Sequence, residues 1–344
     1  MVATGKGQWT VEQRGTTVRV LVSPGTGEVG GLVAGMLRAA GHEAIDASDI
    51  RGAHIGDMGD IDAVWHEPGV RPTRRGFDDA IEASERSELE LALLLRSLHG
   101  AAFSGRVVVM SSACVYGETA ILCSEHGPVS ANRWADDLAR GVFDPLCPYC
   151  RRHLSGVAAR ETSPTHPHQP AAAASLHHEH LWSSYAWEHP DTTVTALRCS
   201  GIYGPGMPVG DEGGVIGACL AHLEAGRQPV VLEDGNQLRD FLHVTDAARA
   251  ALAALTVATP FNGPLNIGSG RPVTVIEMVT MLCVASGTSA WPLLSGEVRS
   301  SDVRHLTIDP GLARDVLGFR ARMPLADGLA DVWRQHLDRL SVPA

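Results

Sequence analysis

Residues 17–46 constrain the fold more than any other stretch. "TVRVLVS" (17–23) is a short β-branched run, the pattern of a buried strand. A glycine-rich turn, "PGTGEVGG", follows. "LVAGMLRAAGH" then has helical periodicity and stops at Gly41, a residue suited to a helix C-cap. "EAIDAS" reads as a second strand. Strand, tight turn, helix and strand make one βαβ unit, which opens a parallel sheet. Gly25, Gly27 and Gly30 let the turn close tightly and let the backbone approach a pyrophosphate at the helix N-terminus.

The same alternation continues. "DAVWHE" (62–67), "RVVVMSS" (106–112), "TVTALRCS" (193–200) and "PVVLED" (229–234) read as strands. "SERSELELALLLRSLHG" (84–100) and "EHLWSSYAWEH" (179–189) read as helices between them. Strands alternating with helices predict a doubly wound α/β fold with helices on both faces. Segment 117–175 breaks the rhythm. It is long and rich in Pro, His and Ala, and a structureless loop of that length is improbable in a compact domain. It reads as an insertion with its own stabiliser.

Composition narrows the function classes. The chain has 344 residues, 44% of them hydrophobic, enough for one large or two ordinary domains. Its net charge is −11, with no basic run to neutralise a phosphate backbone, which argues against a nucleic-acid partner. No apolar stretch approaches the ~20 residues of a membrane span. The first residues, "MVATGKGQWTVEQRGTT", lack the apolar run of a signal peptide, so a cytoplasmic protein is expected. Seven cysteines in a chain this long do not suggest a disulfide framework. Of the 28 basic residues, Lys6 is the one lysine.

Four further motifs occur in order: "MSSACVYGE" (110–118), "ALRCSGIYGPG" (196–206), "EDGNQLRDFLHVTDAARAAL" (233–252) and "PLNIGSGRPVTVIEMV" (264–279). With the glycine turn, the set resembles the extended short-chain dehydrogenase/reductases, specifically the NAD-dependent epimerase/dehydratase family acting on nucleotide sugars. The resemblance runs from about residue 17 to 338, interrupted by the insertion. It implies a Rossmann-type doubly wound parallel sheet with a smaller C-terminal substrate-binding domain. The NAD(P)-binding domain would span 17–204, with 118–175 inserted and 233–261 returning to it; 205–232 and 262–344 would form the substrate domain. Ser112, the second serine of "SSxxVYG", matches the position that hydrogen-bonds the reacting sugar oxygen. Arg239 and Arg299 match arginines that clamp the nucleotide diphosphate, where a planar fork meets phosphate oxygens bidentately. Asp49, near the end of the second strand, would hold the ribose hydroxyls and favours NAD over NADP, although Ser48 holds the expected register. A homodimer is implied, through the helices at 84–100 and 179–189.

The pattern also fails in places. The family's acid/base is a tyrosine four residues before a lysine, which lowers the tyrosine's pKa. Anchoring on "EHLW" puts Ala171 and Ser175 at those positions, while another register brings Trp134 near the tyrosine position. Any register lacks the lysine, because Lys6 precedes the first strand. Pro24 replaces a fingerprint glycine, "HEPG" (66–69) replaces small apolar residues beside the cofactor, and Gly201 replaces a substrate-binding asparagine. In "LHHEH" (176–180), the plain reading is a polar face at the start of a helix. The sharper one makes His177 or His178 a substitute base, a role histidine's pKa suits.

The insertion carries Cys123 and His126, then Cys147 and Cys150, a C-x2-H-x20-C-x2-C pattern. Two short pairs separated by a loop suit a closed, structural zinc site. Cys-Pro-Tyr-Cys is also a redox dithiol, and unrelated cysteines in an irregular loop remain a third reading. Two functions follow from the whole chain. One is an NAD-dependent epimerase/dehydratase-type enzyme on a nucleotide sugar with a non-standard acid/base. The other is a catalytically inactive, ligand-binding regulatory protein of the same fold.

Overall fold

A computed structural model describes residues 17–23, 28–46, 60–68, 85–299 and 302–341. Gly25, Gly27, Asp49, Pro24 and Lys6 lie outside these residues. The central strands are β1 (Arg19–Val22), β2 (Glu43–Asp46), β3 (Ala63–His66), β4 (Arg106–Ser112), β5 (Thr193–Cys199) and β6 (Gly263–Ile267). They form one six-stranded sheet in the order β2-β1-β3-β4-β5-β6, and every pairing is parallel. The order reverses between β1 and β3, the switch point where α/β sheets open a ligand crevice.

The longer helices are α1 (Glu28–Ala39), α2 (Glu90–Gly100), α3 (Pro170–Glu188), α4 (Gly214–Glu224), α5 (Val244–Thr256), α6 (Val275–Ser286) and α7 (Leu325–Ser341). On one sheet face, α1 and α5 pack through Val33, Leu37, Ala247 and Ala251. The alanines of α5 carry short side chains, so its backbone can come close to the strands. On the other face α2 and α3 pack through Leu91, Leu94, Leu98 and Trp182. A separate apolar cluster joins α4, α6 and α7 with Tyr203 and Phe241. There α6 starts with a Thr274–Glu277 capping box and stops at left-handed Gly287. Among the described residues, no helix is long and apolar enough to cross a membrane.

Three expectations change. "PVVLED" gives only Val230–Val231, which pairs with Leu293–Leu294 away from the main sheet, because Val231 packs into the α4–α6–α7 cluster. Gly263–Ile267 belongs to the main sheet, so the chain's return to it extends past 261. The insertion ends earlier than 175, because α3 already begins at Pro170, where a first-turn proline loses no helical hydrogen bond. Within the insertion, Ala120–Cys123, Gly127–Pro128 and Ser155–Gly156 form a three-stranded sheet of their own.

Candidate ligand pocket and its surroundings

A cavity of about 430 Å³ opens beyond the C-terminal ends of β3, β4 and β5. Ser112, Glu67, Ala171, Ser175, Tyr203 and Arg239 are among its lining residues. Ser112 ends β4 and caps a short 3-10 turn, its hydroxyl accepting from Cys114 N–H at 3.1 Å. Ala171 and Ser175 stand one helical turn apart near the start of α3. The Ser175 hydroxyl donates to Ala171 O at 3.0 Å, so it is turned back onto its own helix. Cys199 also lines the cavity, but burial pushes its thiol up to about 12, which keeps it protonated and a poor nucleophile.

The two arginines do not meet. Arg239 reaches the cavity wall, yet its guanidinium donates to the carbonyls of Leu238, Val303 and Arg304 at 2.7–2.9 Å. It thereby holds the 303–306 segment, whose Leu306 lines the same cavity. Arg299 lines a different cavity of about 560 Å³, with Asp211 and Arg227.

The histidines lie elsewhere as well. "LHHEH" sits in the middle of α3, and His178 and Glu179 are buried, which corrects the reading of a polar face at a helix start. His178 bonds His66 at 3.1 Å and Ser87 at 2.8 Å, and His66 in turn bonds Ser23 at 3.2 Å. Burial, then the charge of His177, pushes His178 down to about 4, so it is neutral at pH 7. His177 is half-exposed and pairs with Glu88 at 2.9 Å. Neither histidine lines the cavity. Trp134 stands exposed in the insertion, also away from it.

Beneath the cavity lies a polar network. Glu179 and Arg198, both buried, form a bidentate pair at 2.7–3.3 Å, and Ser111 donates to the same carboxylate. Arg198 also donates to the Tyr116 hydroxyl at 3.0 Å, and Tyr116 donates to Asn266 at 2.7 Å. Burial pushes the Tyr116 hydroxyl up, so it does not act as a base at neutral pH. The one available signal was an arginine inside the apolar strand "TVTALRCS". A buried guanidinium demands a carboxylate partner.

A dinucleotide cradle in this fold lies at the start of α1. The first N–H groups of a helix lack intrahelical partners and attract anions. Here Gly30 N–H donates to Glu67 Oε2 at 2.6 Å, both residues buried. A Cβ on Gly30 would stand 2.9 Å from that oxygen, so the carboxylate rests directly on the turn. The turn at 24–27, where the backbone would approach a pyrophosphate, lies outside the described residues, and Gly30 holds the fingerprint position that brings helix and strand close together.

A parallel sheet with helices on both faces and a cavity at the C-terminal ends of its strands defines a Rossmann-type fold with a candidate ligand site. The model of the NAD dependent epimerase/dehydratase family matches residues 20–268, and the chain belongs to that family. It is 30% identical over 282 residues to a putative UDP-glucose 4-epimerase of Methanocaldococcus jannaschii, covering 81% of this chain and 79% of that protein. It is 28% identical over 246 residues to a dTDP-L-rhamnose 4-epimerase of Burkholderia thailandensis, covering 70% of this chain. That match spans 66% of the Burkholderia protein's length. Among solved structures, MoeE5 in complex with UDP-glucuronic acid and NAD superposes with a TM-score of 0.70 at 26% identity. That alignment covers 93% of this chain and 99% of MoeE5.

Proposed function

We propose that the Ser112 cavity binds a nucleotide sugar and that the chain serves as a binding or regulatory protein that does not turn the sugar over. The ligand class rests on the relatives, whose names bring UDP- and dTDP-sugars to this fold. The observation that carries the second half is the wall made by α3. Ala171 and Ser175, which anchoring on "EHLW" sets at the family's tyrosine and lysine positions, line the cavity. An alanine cannot move a proton, and Ser175 is bonded to its own helix. Ser112 remains able to hydrogen-bond a ligand oxygen, while Arg239 shapes the rim through the 303–306 segment. The α4–α6–α7 lobe closes the sugar side, and a homodimer would form across α2 and α3, where Leu89 and Trp187 stand exposed.

A second reading, an NAD-dependent epimerase/dehydratase-type enzyme with a non-standard acid/base, is favoured by Glu67. It is a carboxylate that lines the cavity, unlike His177 and His178. In that reading NAD would supply the hydride chemistry, and Glu67 would have to leave Gly30 first.

Calorimetry with a panel of UDP- and dTDP-sugars, followed by product analysis with NAD added, separates the two. Binding without product supports the first reading. Product formation that Glu67→Gln abolishes supports the second. No binding to any of the sugars would sink both.

A further inference from the structure

Away from the cavity, the insertion brings together four donor atoms from two turns. Cys123 ends the strand Ala120–Cys123, and the chain reverses through His126 into Gly127, whose φ of +69° favours glycine. The second turn holds Cys147 and Cys150 and is closed by Arg151 N–H donating to Cys147 O at 2.9 Å. Cys123 Sγ stands 3.6 Å from Cys150 Sγ and 3.6 Å from His126 Nδ1. Cys147 Sγ stands 3.6 Å from the same nitrogen, although 21 residues separate the two in sequence. All four donor atoms lie within 4.8 Å of one another.

Those distances choose between the sequence readings. Thiolates about 2.3 Å from a tetrahedral metal stand about 3.8 Å apart. A disulfide needs its sulfurs at about 2.05 Å, and all the cysteines here are free. A redox dithiol needs only its two sulfurs. Here Cys147 is buried and Cys150 half-buried, and Cys123 and His126 bring two further donor atoms into the same cluster. Three thiolates and one imidazole form a soft, closed donor set, which selects zinc as a structural metal. Glu125 N–H also points at Cys123 Sγ, at 3.4 Å, and such a contact stabilises a metal thiolate.

We propose that Cys123, His126, Cys147 and Cys150 bind one zinc ion, with the thiol protons released to solvent. The ion joins the two turns, and through them it fixes one wall of the ligand cavity. The path is short. Asp144, just before Cys147, accepts from the buried Arg304 at 2.7 Å. Glu118, just before the first zinc turn, accepts from His305 N–H at 3.0 Å. Leu306 and Ile308, next along that segment, line the cavity.

The test is metal analysis of the untagged full chain purified without added metal. About one zinc per chain is expected, released when the thiols are blocked with a mercurial. Exchange for cobalt should give the intense visible absorption of a tetrahedral thiolate site. His126→Cys should keep the metal. Cys150→Ser should lose most of it. His189→Ala, at the exposed His99–Glu188–His189 group, should leave it unchanged. Folded wild-type protein without metal, a Cys147–Cys150 disulfide in metal-free protein, or full zinc content in Cys150→Ser would overturn the proposal. The wild-type stoichiometry and cobalt spectrum decide it even if the serine variant fails to fold.

Discussion

In the sheet body, Leu21, Val64, Leu197 and Ile267 are fully excluded from solvent, with helices over both faces. The insertion has a buried cluster of only Ala120, Cys123, Cys147 and Leu154, two of which are proposed zinc ligands. The body is held by apolar area, which is spread over many contacts and has no single point of failure. The insertion is held at a few polar points. Arg304, 1% exposed, joins it to the C-terminal lobe by bonding Asp144, Glu233 and Asp234, and Arg133 in the insertion pairs with the same Glu233. A segment too poor in apolar residues to form a core depends on the geometry of a few ions and charges.

Chelation is the strongest way to break that contrast. Stripping the metal should expose the amides of 120–156 to fast hydrogen exchange, read by mass spectrometry, while β4 and β5 stay protected. Loss of protection in both together would mean that the body depends on the insertion as well. Next, Arg304→Ala leaves Glu233 buried without one of its two arginines. It should destabilise the protein by about 3–5 kcal/mol in urea unfolding. A loss below about 1 kcal/mol would show that the polar junction adds little.

The pH dependence probes the body. His178 titrates near 4 in the fold against about 6.5 when free, so the unfolded chain takes up its proton first as pH falls. The contribution is fully present above pH 6.5 and is lost between 6.5 and 4, on the order of 3 kcal/mol. His66, also held low by burial, adds in the same direction. His178→Gln should flatten the fall of Tm across that window; an unchanged slope would remove His178 from the account. The smallest effect sits at Glu67. Glu67→Gln should tighten NAD binding about tenfold in a titration, by removing like charge at α1. Equal affinity in the two proteins would mean that the carboxylate swings clear in the wild type.

The fold was largely legible because it is written locally. β-Branched runs, a glycine turn and helical periodicity gave β1 to β5 and the parallel order. Runs shorter than a few residues were not, as "PVVLED" illustrates, since two residues pair wherever the surrounding core places them. The site was half legible. Motif spacing singled out Ser112, Ala171 and Ser175, and all three line one cavity. The inward direction of His178 and Glu179 could not be read, because helix phase relative to the core depends on which face α3 presents to β4 and α2.

By itself, the sequence determined that a parallel α/β sheet opens with the strand at 17–23 and that no lysine follows it. It also supplied two Cys/His pairs spaced for a metal. Only the tertiary structure decided that those pairs converge within 4.8 Å, that Arg239 and Arg299 line different cavities, and that Glu67 accepts from Gly30 N–H in the first turn of α1. Each of those depends on groups 21 to 60 residues apart in the chain. Local propensity cannot bring such groups together; the packing of whole elements does.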